Sequence, residues 1–298
     1  MDETRSRDAD PPPSFFGAVA ELLSKTGAHL DRLSIDLARD LGEVAAELLK
    51  TLEYRGYDST GAAIQGDAVD VTLRKGVGAP SLMVESLGIT ALEGRVFCGQ
   101  VRWATFGAVT DANAQPHVVR CKTFLYGAHN GNVTNCDELK AWLTSEGHTV
   151  LSDNDGEMVV HTVEHLFALE LTALPELSRL EPEARRPAMR RAIVRAGQRL
   201  KGSFAAVIVD PVTRTLWAVK AGSSLYFGQG ADGAGGRFAI ASSDLSSVLK
   251  MTRVVVPLAE GEFVEYTPSG YQVYAFEAHE TAAGARVRPG DALERTQV

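Results

Sequence analysis

After Gly56 the chain breaks into a succession of short runs rich in β-branched and aromatic residues: GAAI, VDVTLRKG, RVFCGQVRW, KTFLYGAH, SFAAVIVD, TLWAVKAG, LYFG, RFAIASS, VVVPL, EFVEYT and YQVYAF. Most are only a few residues apart, divided by Gly, Asp-Pro or Ser-Gly. Parallel strands need a crossover of a dozen residues or more, so this spacing predicts antiparallel hairpins instead of β-α-β units. GQGADGAGG reads as one such hairpin connection.

Helices interrupt and precede these strands. GEMVVHTVEHLFALEL, 156 to 171, places Val159, Val163, Leu166 and Phe167 on one face, and PAMRRAIVRAGQRL, 187 to 200, is opened by proline and stopped by Gly202. Upstream, apolar residues from Phe15 to Leu52 recur at steps of three and four, predicting two helices, or one bent at Gly27, over roughly 15 to 52. Helices on either side of an antiparallel set imply a layered α+β architecture with helices covering the sheets.

The expected organisation is a polar, proline-rich tail over 1–14, a helical extension over 15–42, the main domain over 43–278 and a linker or tail over 279–298. With 45% hydrophobic residues there is ample material for a core. A net charge of −8 with no long basic stripe argues against a nucleic-acid binder. Arg185, Arg186, Arg190, Arg191, Arg195 and Arg199 recur at helical spacing and read as a solvated helix face. Three cysteines without CxxC spacing indicate neither a disulfide framework nor a zinc site, and fit a reducing, cytoplasmic compartment. No apolar run is long enough to span a membrane, and no signal peptide is visible.

Several segments carry polar groups that packing alone does not require. In QVRWATFG, 100–107, Arg102 stands where a strand gives way to a loop, suited to hold a carboxylate through two parallel hydrogen bonds, with Trp103 as a pocket wall; the simpler reading is a surface arginine beside a core tryptophan. In GAHNGNVTN, 127–135, Asn130-Gly131 reads first as a tight turn, and alternatively as two donors aimed at one oxyanion. In SDNDGEM, 152–158, Asp155 reads as a helix N-cap or as an acceptor for a ligand ammonium. HTVEH, 161–165, matches His-x-x-Glu-His, but no third ligand follows at useful distance, so no metal is expected. GSS at 222–224 and ASSD at 241–244 read as turns, and no nucleotide-binding glycine loop is present, so no cofactor is expected.

Taken in order, LEYRGYDSTGAAI, QVRWATFG with NAQPHV, HNG with Asn135, SDNDGEM followed by a helical histidine, KGSFAAVIVD and AGSSLYFG resemble the class II glutamine amidotransferases, specifically the glutaminase domain of glucosamine-6-phosphate synthase, also called glutamine–fructose-6-phosphate aminotransferase (isomerizing). The resemblance spans roughly 43–275. It implies a four-layer αββα sandwich of antiparallel sheets, the N-terminal-nucleophile fold. By the same resemblance Arg102 takes the α-carboxylate of glutamine, Asp155 its α-amino group, and Asn130 with Gly131 the oxyanion. Trp103, Thr105 and His129 shape the pocket, and Arg55 with Gly56 border it from the LEYRGYDS turn.

The departures from the family matter as much as the matches. There the mature chain begins Cys-Gly-Ile-Val-Gly, its thiol attacking the amide while its own α-amine acts as base. Here the sequence reads Met-Asp at its start, and counting back from Leu52 by the family's spacing reaches Leu30, in a stretch of helical periodicity. The family's His-Thr-Arg-Trp-Ala-Thr-His-Gly reads Gln100 to Gly107, with both histidines replaced, by Gln100 and Phe106. The expectation is a catalytically deficient domain that binds glutamine or a related amino acid, acting beside a sugar-isomerase-type domain or protein, itself a candidate homo-oligomer. The alternatives are an active glutaminase using Cys98 or Ser14 in amino-sugar synthesis, and a scaffold without ligand.

Overall fold

The structure, a computed structural model, describes residues 40–104, 107–231, 236–280, 284–295 and 297. Its first part contains α1 (Leu41–Thr51), β1 (Ser59–Gln65), β2 (Val71–Val77), α2 (Pro80–Ser86), β3 (Val96–Arg102), β4 (His117–Val119), β5 (Leu125–Val133), α3 (Cys136–Ser145), α4 (Asp155–Thr172) and α5 (Pro182–Arg199). Next come β6 (Gly202–Asp210), β7 (Thr215–Ala221), β8 (Tyr226–Ala231), β9 (Arg237–Ser242), α6 (Leu245–Met251), β10 (Val254–Val256), β11 (Glu262–Thr267), β12 (Gly270–Ala275), β13 (His279–Glu280), β14 (Arg286–Val287) and β15 (Ala292–Leu293). Every named strand pair is antiparallel, as the short connections require.

Alternation along β6 separates the layers. Ala206 and Ile208 face one way, into a cluster built with α3, α4 and α5 through Leu139, Val163, Phe167 and Ile193. Ala205, Val207 and Val209 face the other way, toward β8, β9 and β10 through Phe227, Ala241 and Val256, and toward β1 and β3 through Ala63 and Cys98. The sheet that contains β6 has the order β15-β12-β11-β7-β6-β5-β4, and the smaller sheets are β2-β1-β3 and β10-β8-β9. On their outer side α1 and α2 bury Val44, Leu48, Leu49 and Val84 against Ala62, Ile64 and Val101. The result is the expected α+β sandwich in four layers, αββα.

Three features depart from expectation, and a fourth expectation falls almost wholly outside the described residues. The expected extra helical segment over 15–42 lies outside the described residues up to 39, and α1 supplies its last part. Helix α5 begins at Pro182, five residues before the proline expected to open it, and Pro187 sits inside the helix. Its arginines are a solvated face only in part: Arg185 is buried and pairs with Asp210 through two bonds of 2.8 and 2.9 Å, Arg186 and Arg190 approach Glu265, and the exposed Arg191 and Arg195 reach Glu170. The stretch after 278 keeps its charged composition, yet β15 pairs with β12 and extends the large sheet.

Candidate functional site

The LEYRGYDS stretch is a clamp on the end of β3. Helix α1 runs into a single tight turn, Leu52–Arg55, after which Gly56 lies so close to the neighbouring strand that a Cβ would stand 2.6 Å from the Arg102 carbonyl carbon and 2.9 Å from Trp103 N. Asp58 N donates to Arg102 O at 2.9 Å, and Asp58 Oδ2 accepts from Ala104 N at 2.7 Å. The rings of Tyr57 and Trp103 meet 5.2 Å apart at the surface.

Arg55 is buried, with Nη1 3.1 Å from Asp244 Oδ1. Asp244 also caps α6 by accepting from Ser247 N, so ASSD is a helix cap and ion-pair partner, not only a turn. Burial alone would raise the Asp244 pKa; the hydroxyls of Ser246 and Ser247 and the charge of Arg55 lower it.

Arg102, also buried, donates from Nη1 to Ala108 O at 3.2 Å. Asn113 donates to the same carbonyl at 2.8 Å and accepts from Asp153 N at 2.9 Å, which fastens the loop after β3 to the loop before α4. Burial lowers the Arg102 pKa while Asp155 and Asp58 oppose it, so the guanidinium stands in the field of both carboxylates. Trp103 is half-exposed at the rim, and Thr105 lies outside the described residues.

Asn130-Gly131 is not a turn. Both residues lie within β5, opposite Ala205 and Phe204 of β6, because cross-strand pairing with β6 overrides the dipeptide's local preference. Gly131 has φ of +106°, and a Cβ there would stand 2.1 Å from Ser203 O, so the position demands glycine on two counts. Preceding them, His129 reaches α4: its Nε2 is 3.1 Å from Asp155 Oδ2, which also accepts from Val133 N at 3.0 Å. These bonds outweigh burial and lower the Asp155 pKa.

The N-cap of α4 is Asn154, whose side chain accepts from Gly156 N at 2.9 Å; Asp155, expected in that role, is the first helical residue. Freed from capping, its carboxylate faces β5. Gln115 completes the frame, accepting from His129 N at 2.8 Å and donating to His129 O at 3.3 Å. Asp58, Asn113, Gln115 and Asn154 were not singled out from the sequence. Asp58, Asn113 and Gln115 give a weak signal because each bonds backbone remote in the chain, whereas Asn154 matches an N-cap as well as Asp155 does.

The sequence holds three cysteines. Cys98 is fully buried between the sheets with its pKa pushed up to about 12 by burial, and Cys136 is buried with its pKa raised to about 11 by burial and then by Asp155. Thiols held so far from ionisation are poor nucleophiles. Cys121 sits in the loop between β4 and β5 and accepts from Thr149 N at 3.4 Å.

Among the described residues no helix is long and apolar enough to cross a membrane. The profile of a glutamine amidotransferase domain matches residues 101–249. Glutamine–fructose-6-phosphate aminotransferase (isomerizing) from Aeropyrum pernix is 32% identical over 229 residues, 76% of this chain and 33% of that protein. The enzyme of that name from Thermococcus kodakarensis is 35% identical over 239 residues, 80% of this chain and 36% of that protein. The chain thus spans about a third of the length of the curated relatives it matches. Among solved structures, glutamine phosphoribosylpyrophosphate amidotransferase from B. subtilis superposes with a TM-score of 0.63 at 17% identity, covering 89% of this chain and 49% of that one. A second structure, described as the allosteric regulatory enzyme of purine biosynthesis, gives 0.64 at 18% identity over the same shares. At such identities these two likenesses speak to the fold.

Proposed function

The chain belongs to the class II glutamine amidotransferase family, and on that premise we propose that it is a glutaminase-type domain that binds glutamine or a related amino acid without hydrolysing it efficiently. Arg102 holds the α-carboxylate, Asp155 the α-ammonium, and Asn130 with the Gly131 N–H the amide oxygen. Trp103, Thr105 and His129 shape the pocket, and Arg55 and Gly56 support its rim through the clamp on β3. The domain acts as a regulatory or structural partner of a sugar-isomerase-type domain or protein, the setting suggested by relatives named for amino transfer to fructose 6-phosphate.

The observation that carries this reading is one pairing of facts. The buried Arg102 lies in the field of the buried Asp155, which is fastened to the Asn130-Gly131 strand through His129 and Val133, while Cys98 and Cys136 are buried with thiols raised above their ordinary range. Where neither of these two thiols ionises to attack, hydrogen-bond donors at the oxyanion position bind the substrate and leave only weak residual catalysis.

Calorimetry with glutamine and glutamate, on the unaltered chain and on Arg102→Met, tests binding; a continuous ammonium assay tests hydrolysis. The expected result is heat with glutamine, affinity at least about tenfold weaker in Arg102→Met, and negligible ammonium. Absence of heat at millimolar ligand removes the binding claim. Ammonium release at an ordinary enzymatic rate removes the claim of deficiency and favours the active-glutaminase alternative.

A further inference from the structure

Behind α4, away from the pocket residues, three histidines, a cysteine and a buried glutamate converge. His161 and Glu164 lie on α4, Cys121 in the loop between β4 and β5, and His148 in the loop between α3 and α4. One donor atom each of Cys121, His148 and His161 lies within 4.8 Å of the others. Of the HTVEH residues only His161 belongs to this trio, and its other two members come from upstream in the chain.

The hydrogen bonds around the cluster aim its lone pairs inward. A carboxylate only accepts, so Glu157 Oε1, 3.4 Å from His161 Nε2, fixes the His161 proton on that nitrogen and leaves Nδ1 as an acceptor. That Nδ1 faces His148 Nδ1 at 3.1 Å. On its far side His148 Nε2 meets His165 Nδ1 at 2.9 Å, a partner able to take the His148 proton and leave its Nδ1 bare as well. Glu164 Oε2 lies 3.4 Å from the same His148 Nδ1 and, among the described residues, has no hydrogen-bond partner, although Glu164 is fully buried. Its other oxygen is held by Lys122 N and Thr123 N, both at 2.5 Å, which fixes the carboxylate in place.

We propose that Cys121 Sγ, His148 Nδ1 and His161 Nδ1 form a structural site for Zn²⁺ or a similar borderline divalent ion, with the buried Glu164 Oε2 beside His148 Nδ1 supplying a neighbouring negative charge. In a tetrahedral zinc site with Zn–N near 2.0–2.1 Å, two ligating nitrogens lie roughly 3.3 Å apart, close to the spacing of the two Nδ1 atoms. The surrounding bonds match what such sites carry outside the ligands: an acceptor on the remote nitrogen of each ligating imidazole, and a backbone N–H, here from Thr149, on the sulfur. Binding displaces the thiol proton of Cys121 to solvent and places the His148 proton on Nε2. Without metal the same imidazoles form a chain of hydrogen bonds in which His148 carries its proton on Nδ1. The ion ties the β4–β5 and α3–α4 loops to the helix whose first residue is Asp155.

The test uses the whole chain, reduced, stripped with a chelator and titrated with Co²⁺ and then Zn²⁺. The expected result is stoichiometric cobalt uptake with the visible bands of a tetrahedral ion and a thiolate charge-transfer band, both abolished by zinc. Cys121→Ser should lose the charge-transfer band, and His148→Gln should bind zinc at least about tenfold more weakly. Zinc should raise the melting temperature of the unaltered chain but not of a Cys121→Ser/His148→Gln double variant. A folded chain, verified by circular dichroism, that takes up neither ion at micromolar concentration overturns the site in favour of the hydrogen-bonded chain. Cobalt bands indifferent to both substitutions overturn it equally.

Discussion

His129 Nε2 stands 3.1 Å from Asp155 Oδ2 across the gap between β5 and α4, so the strand bearing Asn130 and Gly131 and the helix beginning at Asp155 share one fastening. A carboxylate buried here would be strained without it, since burial raises its pKa and the His129 contact is the first influence to lower it. His129→Ala is expected to destabilise the chain by about 1–3 kcal/mol and to weaken glutamine binding. Urea denaturation and calorimetry on the same preparation check both effects.

The Arg185–Asp210 pair is buried at both ends. Removing one partner leaves an uncompensated charge inside the fold, so Asp210→Ala is expected to cost about 3–5 kcal/mol, whereas replacing both residues by apolar ones costs much less. Denaturant midpoints of the single and double variants decide the matter; an additive double variant counts against the pair.

At Gly131 the positive φ and the nearby Ser203 carbonyl act together. Gly131→Ala is expected to destabilise the chain by about 1–3 kcal/mol or more and to abolish ligand binding, while Gly66→Ala, where a Cβ meets nothing within 4 Å, serves as the control. Thermal melts of the two variants provide the comparison.

Acid should unfold the chain in part through His117. Burial first, and then the charge of Lys75, push its pKa down from 6.5 to about 3, so the imidazole is neutral in the fold while the unfolded chain takes up a proton below 6.5. The unfolded state then binds more protons, and stability is full above that value and falls progressively toward about 3. His117→Gln should flatten the fall between about pH 6.5 and 4.5, as followed by urea midpoints across that range.

Cys98 is expected to resist alkylation in the native state and to react only on unfolding, because its thiol is buried and its pKa is about 12. Mass spectrometry after a short exposure to iodoacetamide measures this directly. Rapid native labelling of Cys98, with loss of ammonium release in Cys98→Ala, would revive the unorthodox nucleophile.

The strands were legible because their turn residues and short spacings leave few other options, and the α4 pattern read correctly to within a residue at each end. What escaped depends on partners remote in the chain. Asn130-Gly131 follows strand pairing with β6, not the local preference of the dipeptide. The α5 arginines find Asp210 and Glu265 on strands that no helical periodicity could reveal. Pro187, expected to open α5, lies inside the helix, and it is Pro182 that stands at the start, where a missing N–H costs nothing. The residues proposed for the glutamine pocket, by contrast, lie in contiguous motifs, which is why their order along the chain is readable at all.

Strand β15 has a practical consequence for anyone shortening this polypeptide. Ending it near residue 278 would strip the cover from β12, baring a row of amide and carbonyl groups at the border of the largest sheet, and would remove the Arg295 partner of the fully buried Glu262. Such a trimmed molecule would recruit neighbouring copies along the uncovered border, and its poor solubility would say nothing about the pocket.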